Sequence, residues 1–119
     1  MDKAAKLLKL AKDNFEEGEE VLSYVDGAFQ ATVKNRNTMR TGVLIATNKK
    51  LRFCGKRLFF VYDDAIEYSD IYKVELTKEK FGDTIFIDGK KQSYFMRFII
   101  SKEIGNFFNI IKEYKGKRL

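Results

Sequence analysis

Gly42-Val-Leu-Ile-Ala-Thr-Asn-Lys-Lys-Leu-Arg-Phe-Cys-Gly55 is a short apolar run, a polar turn and a second, alternating run, and its reading decides the fold. Val43, Leu44, Ile45 and Ala46 are apolar without interruption, as expected of a strand covered on both faces. Leu51 and Phe53 then alternate with Lys50, Arg52 and Cys54, the pattern of a strand with one wet face. Thr47-Asn48-Lys49 supplies the turn between them, with Asn48 expected in the left-handed backbone that tight hairpins use.

Working outward, 119 residues with 45% hydrophobic content bury one ordinary core, which implies one globular unit. Residues 1–20 read as an N-terminal amphipathic helix and 21–119 as the main domain. Eleven Phe and six Tyr exclude a disordered chain. No apolar run approaches the roughly 20 residues that span a bilayer. The segment Ala4 to Ala11 is broken by Lys6 and Lys9 and carries no small-x-small cleavage site, so a secretory signal is not expected. The single Cys54 cannot close an internal disulfide, and a reducing cytoplasm is the expected location.

Along the chain, Ala4, Leu7, Leu8, Ala11 and Phe15 recur at helical spacing with Lys3, Lys6, Lys9 and Lys12 on another side, predicting a helix that ends near Gly18. Val21 to Val33 alternates through a long strand, with a bulge or bend expected at Asp26-Gly27. Lys34 to Thr41 reads as a polar loop. After the hairpin come strands at Leu58 to Tyr62, Tyr72 to Thr77, Ile85 to Ile87 and Tyr94 to Phe98, with turns at Phe81-Gly82-Asp83 and Asp88-Gly89. Ser101 is the expected N-cap of a last helix, whose stripe Ile104, Phe107, Phe108, Ile111 and Tyr114 faces the core.

Gly42, Val43, Leu44, Thr47, Asn48, Lys50, Leu51 and Phe53 together resemble the signature hairpin of bacterial pleckstrin-homology-like domains of the YokE type. Tyr68, Ile71 and Val74 resemble the Pro/Tyr-x-x-Ile-x-x-Val strand of that family, and the resemblance runs from about Val21 to Tyr114. It implies an α+β, mainly β fold: a partly open barrel of about seven antiparallel strands with an N-terminal helix and a C-terminal capping helix, Phe107 and Phe108 lying against its open end.

Catalytic chemistry finds little support. The chain has no His, which removes the commonest general base and metal ligand. Cys54 lacks a His partner and reads as a small packed residue. Asp63-Asp64 reads as a solvated turn and not as a cation site, because adjacent strand residues face opposite ways. The glycines are separate turn glycines with no phosphate-loop spacing. No enzyme activity, cofactor or metal is expected.

Charge is the remaining signal. Lys and Arg number 23 against 17 Asp and Glu, a net charge of +6. Lys34, Arg36, Arg40, Lys49, Lys50, Arg52, Lys56 and Arg57 fall in one stretch that holds no acid, whereas Asp63 to Asp83 holds seven acids and three bases. Those eight cations are the candidate anion- or partner-binding set. In pleckstrin-homology domains that bind inositol lipids, basic residues at the end of the first strand and in the next loop hold the phosphates. Lys34, Arg36 and Arg40 occupy a comparable place. Lys50, Arg52, Phe53, Phe59, Phe60 and Tyr62 interleave cations with aromatics in a manner suited to nucleic acid, but Phe53 and one of Phe59 and Phe60 are wanted by the core. The N-terminal helix has three places to go: onto the barrel, onto a second copy in a homo-oligomer, or onto an anionic membrane with Leu7, Leu8 and Leu10 down. The reading that results is a non-catalytic interaction module, an adaptor or inhibitor of a protein partner. The alternative is binding of anionic lipid headgroups through the basic 34–57 region.

Overall fold

A computed structural model describes residues 2–33 and 36–119, without the side chains of 32, 33, 36–38 and 57. The elements are α1 (Lys3–Lys12), β1 (Val21–Val33), β2 (Arg36–Thr47), β3 (Lys50–Arg57), β4 (Phe60–Glu67), a single 3-10 turn (Tyr68–Asp70), β5 (Ile71–Glu79), β6 (Gly82–Gly89), β7 (Ser93–Ile99) and α2 (Ile104–Tyr114). One antiparallel sheet of order β4-β3-β2-β1-β7-β6-β5 bends around the core, and its edges β4 and β5 are not paired to each other. This is the expected mainly β, partly open barrel with a helix at each end.

The uninterrupted apolar run of β2 follows from what covers its two faces. Leu44 and Ala46 join Leu51 and Phe53 in the barrel core. Val43, Ile45 and Cys54 form a second core on the outside of the same strands, against Leu7 and Ala11 of α1. α1 therefore packs on the barrel. Burial of Leu7 alone removes a side chain worth about 1.5–3 kcal/mol from water. The outer face of β3 is correspondingly not wet, as its alternation had implied, and Arg52 is buried there.

Inside the barrel, three rings form a continuous stack. Phe53 lies 4.4 Å from Phe29, centroid to centroid, and Phe29 lies 5.6 Å from Tyr94. Two glycines make room for Phe53. A Cβ at Gly42 would meet the carbonyl oxygen of Cys54 at 2.3 Å and the Phe53 ring at 2.8 Å, and one at Gly55 would meet the Thr41 oxygen at 2.6 Å. Tyr68 fills the far end of the core, donating its hydroxyl to the Thr47 carbonyl at 2.7 Å and stacking on Tyr114 of α2 at 5.1 Å. In α2, Phe107 and Ile111 are fully buried, while Ile104, Phe108 and Tyr114 pack around them.

Several local expectations shift. Arg36 to Thr41 is strand, not loop, because β1 and β2 stay paired from Gly27↔Gly42 out to Val33↔Arg36. The irregularity of β1 falls at Val21/Ser23, and register is unbroken at Asp26-Gly27. Asn48 takes an ordinary backbone, since the positive φ angles among non-glycines are at Leu58 and Phe98. Its side chain instead ties the chain before β1 to the β2–β3 turn, accepting from the Glu20 amide at 2.7 Å and donating to the Gly18 carbonyl at 3.0 Å. Asp88 and Gly89 still belong to β6, and the turn follows at Lys90 and Lys91. Ser101 caps through its hydroxyl, which accepts from the Glu103 amide at 3.2 Å, but the helix proper begins at Ile104.

Phe107→Ala is expected to cost about 3–5 kcal/mol in urea unfolding, because its cavity opens in the centre of the core. The half-buried Phe108, changed to Ala, is expected to cost about 1–2 kcal/mol. A Phe107→Ala loss below about 1 kcal/mol would show that α2 does not close the barrel.

Candidate functional site

The eight cations of the acid-free stretch do not form one patch. β2 and β3 run antiparallel from the Asn48-Lys49 turn, so Lys49, Lys50 and Arg52 lie towards that turn and Arg40, Lys56 and Arg57 towards the opposite end. Arg36 is further out on β2, with its backbone alone described, as for Arg57, and Lys34 lies outside the described residues.

The group at the turn is occupied by structure. Arg52 is a bidentate donor to Glu19, from Nε to Oε2 at 2.7 Å and from Nη2 to Oε1 at 2.8 Å. The Glu19 carboxylate also accepts from the Thr47 hydroxyl at 2.7 Å and from the Glu16 amide at 2.9 Å. Burial alone raises the Glu19 pKa, but these bonds, led by Arg52, outweigh it and bring it from 4.5 down to about 2. Lys50 bridges Glu16 at 2.8 Å and Glu67 at 3.0 Å, and the Glu16 bond is the main reason its pKa is raised. The partners Glu16 and Glu19 lie more than 30 positions earlier in sequence, where nothing in the β3 pattern points to them. Lys49, at the turn itself, is half-exposed.

At the other end Lys56 is exposed and Arg40 is half-exposed. Arg40 lies with its guanidinium 4.0 Å above the ring of Tyr62, and Lys56 is exposed opposite Val61. Two residues beyond the paired Gly42 and Gly55 stand Arg40 and Arg57, which places both at the mouth of the β3–β4 hairpin. The tip of that hairpin overturns an expectation: Phe59 and Phe60 are both exposed, and neither serves the core. An apolar residue in a strand-like run reads as core from sequence, and only the two-residue turn that carries it beyond the barrel shows otherwise. The interleaved set proposed for nucleic acid is dispersed by the same geometry, since Phe53 is buried and Lys50 and Arg52 are paired.

Asp63 and Asp64 lie within β4, not in a turn. Asp63 accepts a hydrogen bond from the Asn14 side chain beyond the end of α1. Cys54 is buried, and burial first and the Asp63 charge second push its thiol up to about 11, which keeps it protonated at neutral pH. Among the described residues no three His, Cys, Asp or Glu side chains converge as metal ligands, and no helix is long and apolar enough to cross a membrane.

Comparison with known proteins agrees with this architecture. The family model for the bacterial PH domain matches residues 15–113. The fold is similar to the crystal structure of the C-terminal domain of an unknown protein from Leishmania infantum, with a TM-score of 0.62 at 16% identity over 92% of this chain and 96% of that one. It is also similar to the Vps36 N-terminal PH domain, with a TM-score of 0.61 at 10% identity over 83% of each chain. No curated protein matches the chain.

The buried pair predicts a pH dependence. A carboxylate with a depressed pKa stabilises the fold above its unfolded value and loses that contribution as pH falls, here from 4.5 towards about 2. Glu19→Gln leaves the Arg52 cation without its carboxylate and is expected to cost about 3–5 kcal/mol at neutral pH. In urea unfolding at a series of pH values, the gap between wild type and Glu19→Gln is expected to narrow through that window. A gap that stays constant would show that the pair does not hold the strands.

Proposed function

The chain belongs to the bacterial pleckstrin-homology domain family, and on that premise we propose that it is a non-catalytic adaptor or inhibitor that binds a protein partner. Domains of this fold generally act as interaction modules for proteins or lipids. The absence of His from the chain, the protonated Cys54 and the engagement of Glu19 and Arg52 with each other all support a role without turnover.

The observation that carries the protein reading is an exposed apolar surface with balanced charge. Phe98 lies against Gly82, where an added Cβ would come within 2.8 Å of its backbone. Phe81 precedes that glycine and Ile100 follows shortly after Phe98, both well exposed. Ser101 and Glu103 then share with Leu22 and Tyr24 a cleft of about 390 Å³. Lys80, Asp83, Lys102 and Glu103 give this neighbourhood two charges of each sign. A surface rich in large apolar side chains without an excess of one charge suits another protein better than a polyanion. Beside it, β7 pairs with β1 only over Ala28–Ala31, so among the described residues no strand covers that side of Val21 to Asp26. An extended peptide segment of the partner would find backbone groups there to pair with.

Immobilised protein incubated with lysate of the native host, followed by mass spectrometry, is expected to retain one partner at physiological salt. Phe81→Asp combined with Ile100→Asp is expected to weaken that binding about tenfold or more while leaving the melting temperature unchanged. Retention that survives this double substitution, or that vanishes with modest salt, would overturn the assignment of this surface. A substrate turned over by the protein would overturn the non-catalytic reading itself.

A further inference from the structure

The tip of the β3–β4 hairpin stands apart from the surface assigned to the protein partner. Leu58, Phe59, Phe60 and Val61 are four consecutive apolar residues, and all are exposed, Leu58 at 79% and Phe59 at 96%. Leu58 takes φ +56°, a conformation that favours glycine, so the chain keeps a large apolar side chain where a smaller residue would sit with less strain. Among the described residues, Leu58, Phe59, Phe60 and Val61 all remain outside the buried core.

We propose that this tip inserts into the interfacial region of an anionic lipid bilayer, with the cations behind it held at the headgroups. The register gives the depths. A strand rises about 3.3 Å per residue, and because Arg57 pairs with Phe60 and Lys56 with Val61 they stand about 3 and 7 Å behind Phe59 along the hairpin, while an apolar wedge enters a bilayer by about 5–10 Å. Insertion led by Leu58 and Phe59 therefore places the Arg57–Phe60 and Lys56–Val61 pairs in the headgroup layer, where Lys and Arg side chains snorkel to the phosphates. Arg40, on the neighbouring strand and stacked on Tyr62, lies close behind at the same mouth. The nearest carboxylates of the hairpin, Asp63 and Asp64, stand about 13–17 Å from Phe59 and stay outside that layer. The sign of the charge selects the partner. Protein interface cores are depleted of charge, whereas an apolar tip backed only by cations complements apolar lipid tails beneath anionic headgroups.

The chain contains no Trp, so Phe59→Trp introduces a single fluorophore at the tip. Vesicles of phosphatidylcholine mixed with phosphatidylglycerol would be compared with vesicles of phosphatidylcholine alone, by co-sedimentation and by emission. Expected are binding about tenfold or more tighter to the anionic vesicles, a blue shift of the Trp emission on binding, and its quenching by brominated acyl chains. Phe59→Ser with Phe60→Ser, and separately Lys56→Glu with Arg57→Glu, are each expected to lower binding about tenfold or more with the melting temperature unchanged. Anionic-vesicle binding without a blue shift or quenching would mean headgroup contact alone and would overturn insertion. Equal binding to both vesicle types, or none to either, would overturn the proposal altogether. The last result is the one expected if the tip serves a protein instead.

Discussion

Burial of both faces of β2 and β3 is the constraint on which the rest of the structure depends. A strand in an open barrel has an inner face filled by the core and an outer face that ordinarily meets water. Here Val43, Ile45 and Cys54 make the outer face a second core, so something must cover it, and α1 does, through Leu7 and Ala11. The segment after α1 has then to return to the start of β1 across the β2–β3 turn. Glu19 reaches Arg52 and Thr47 on that path, while Asn48 holds Glu20 and Gly18. The buried ion pair fixes how the cover is seated. A hydrophobic pair in its place would not be expected to weaken the protein, but loss of one partner would.

The same constraint explains which parts of the sequence were readable. Val43 to Ala46 could be read as doubly covered because four consecutive apolar residues have no other economical use in a strand. The alternation of Leu51 and Phe53 with Lys50 and Arg52 was ambiguous, since a wet face and a face covered through ion pairs produce the same pattern. The deciding residues, Glu16 and Glu19, lie in a segment whose acids look like ordinary surface charge. The β6–β7 turn was readable to within a residue or two from Asp88-Gly89, whereas the β3–β4 turn, inside a run that reads as strand, was not. The β6–β7 hairpin exists, but its glycine remains in the strand and the chain reverses at Lys90 and Lys91.

The candidate site was less legible than the fold. Eight cations adjacent in sequence imply one patch only if the strands carry them to one place, and an antiparallel hairpin instead sends Lys50 and Arg52 to one end and Arg40, Lys56 and Arg57 to the other. The apolar tip was hidden for the opposite reason: Leu58 to Val61 has the composition of a core strand and reaches solvent because the turn falls within it. The two exposed apolar surfaces lie on separate halves of the sheet, one on β3–β4 and the other on β5, β6 and β7. An exposed apolar surface on each half of the sheet is compatible with the proposed adaptor role.

Hydrogen exchange in the native state measures directly whether α1 and the outer face of β2 form one cooperative unit. Amides from Val43 to Ala46 and those of α1 that bond within the helix should exchange together, with Leu7→Asp accelerating both sets. Exchange of α1 at the rate of a free peptide, with β2 protected equally in wild type and Leu7→Asp, would contradict the second core.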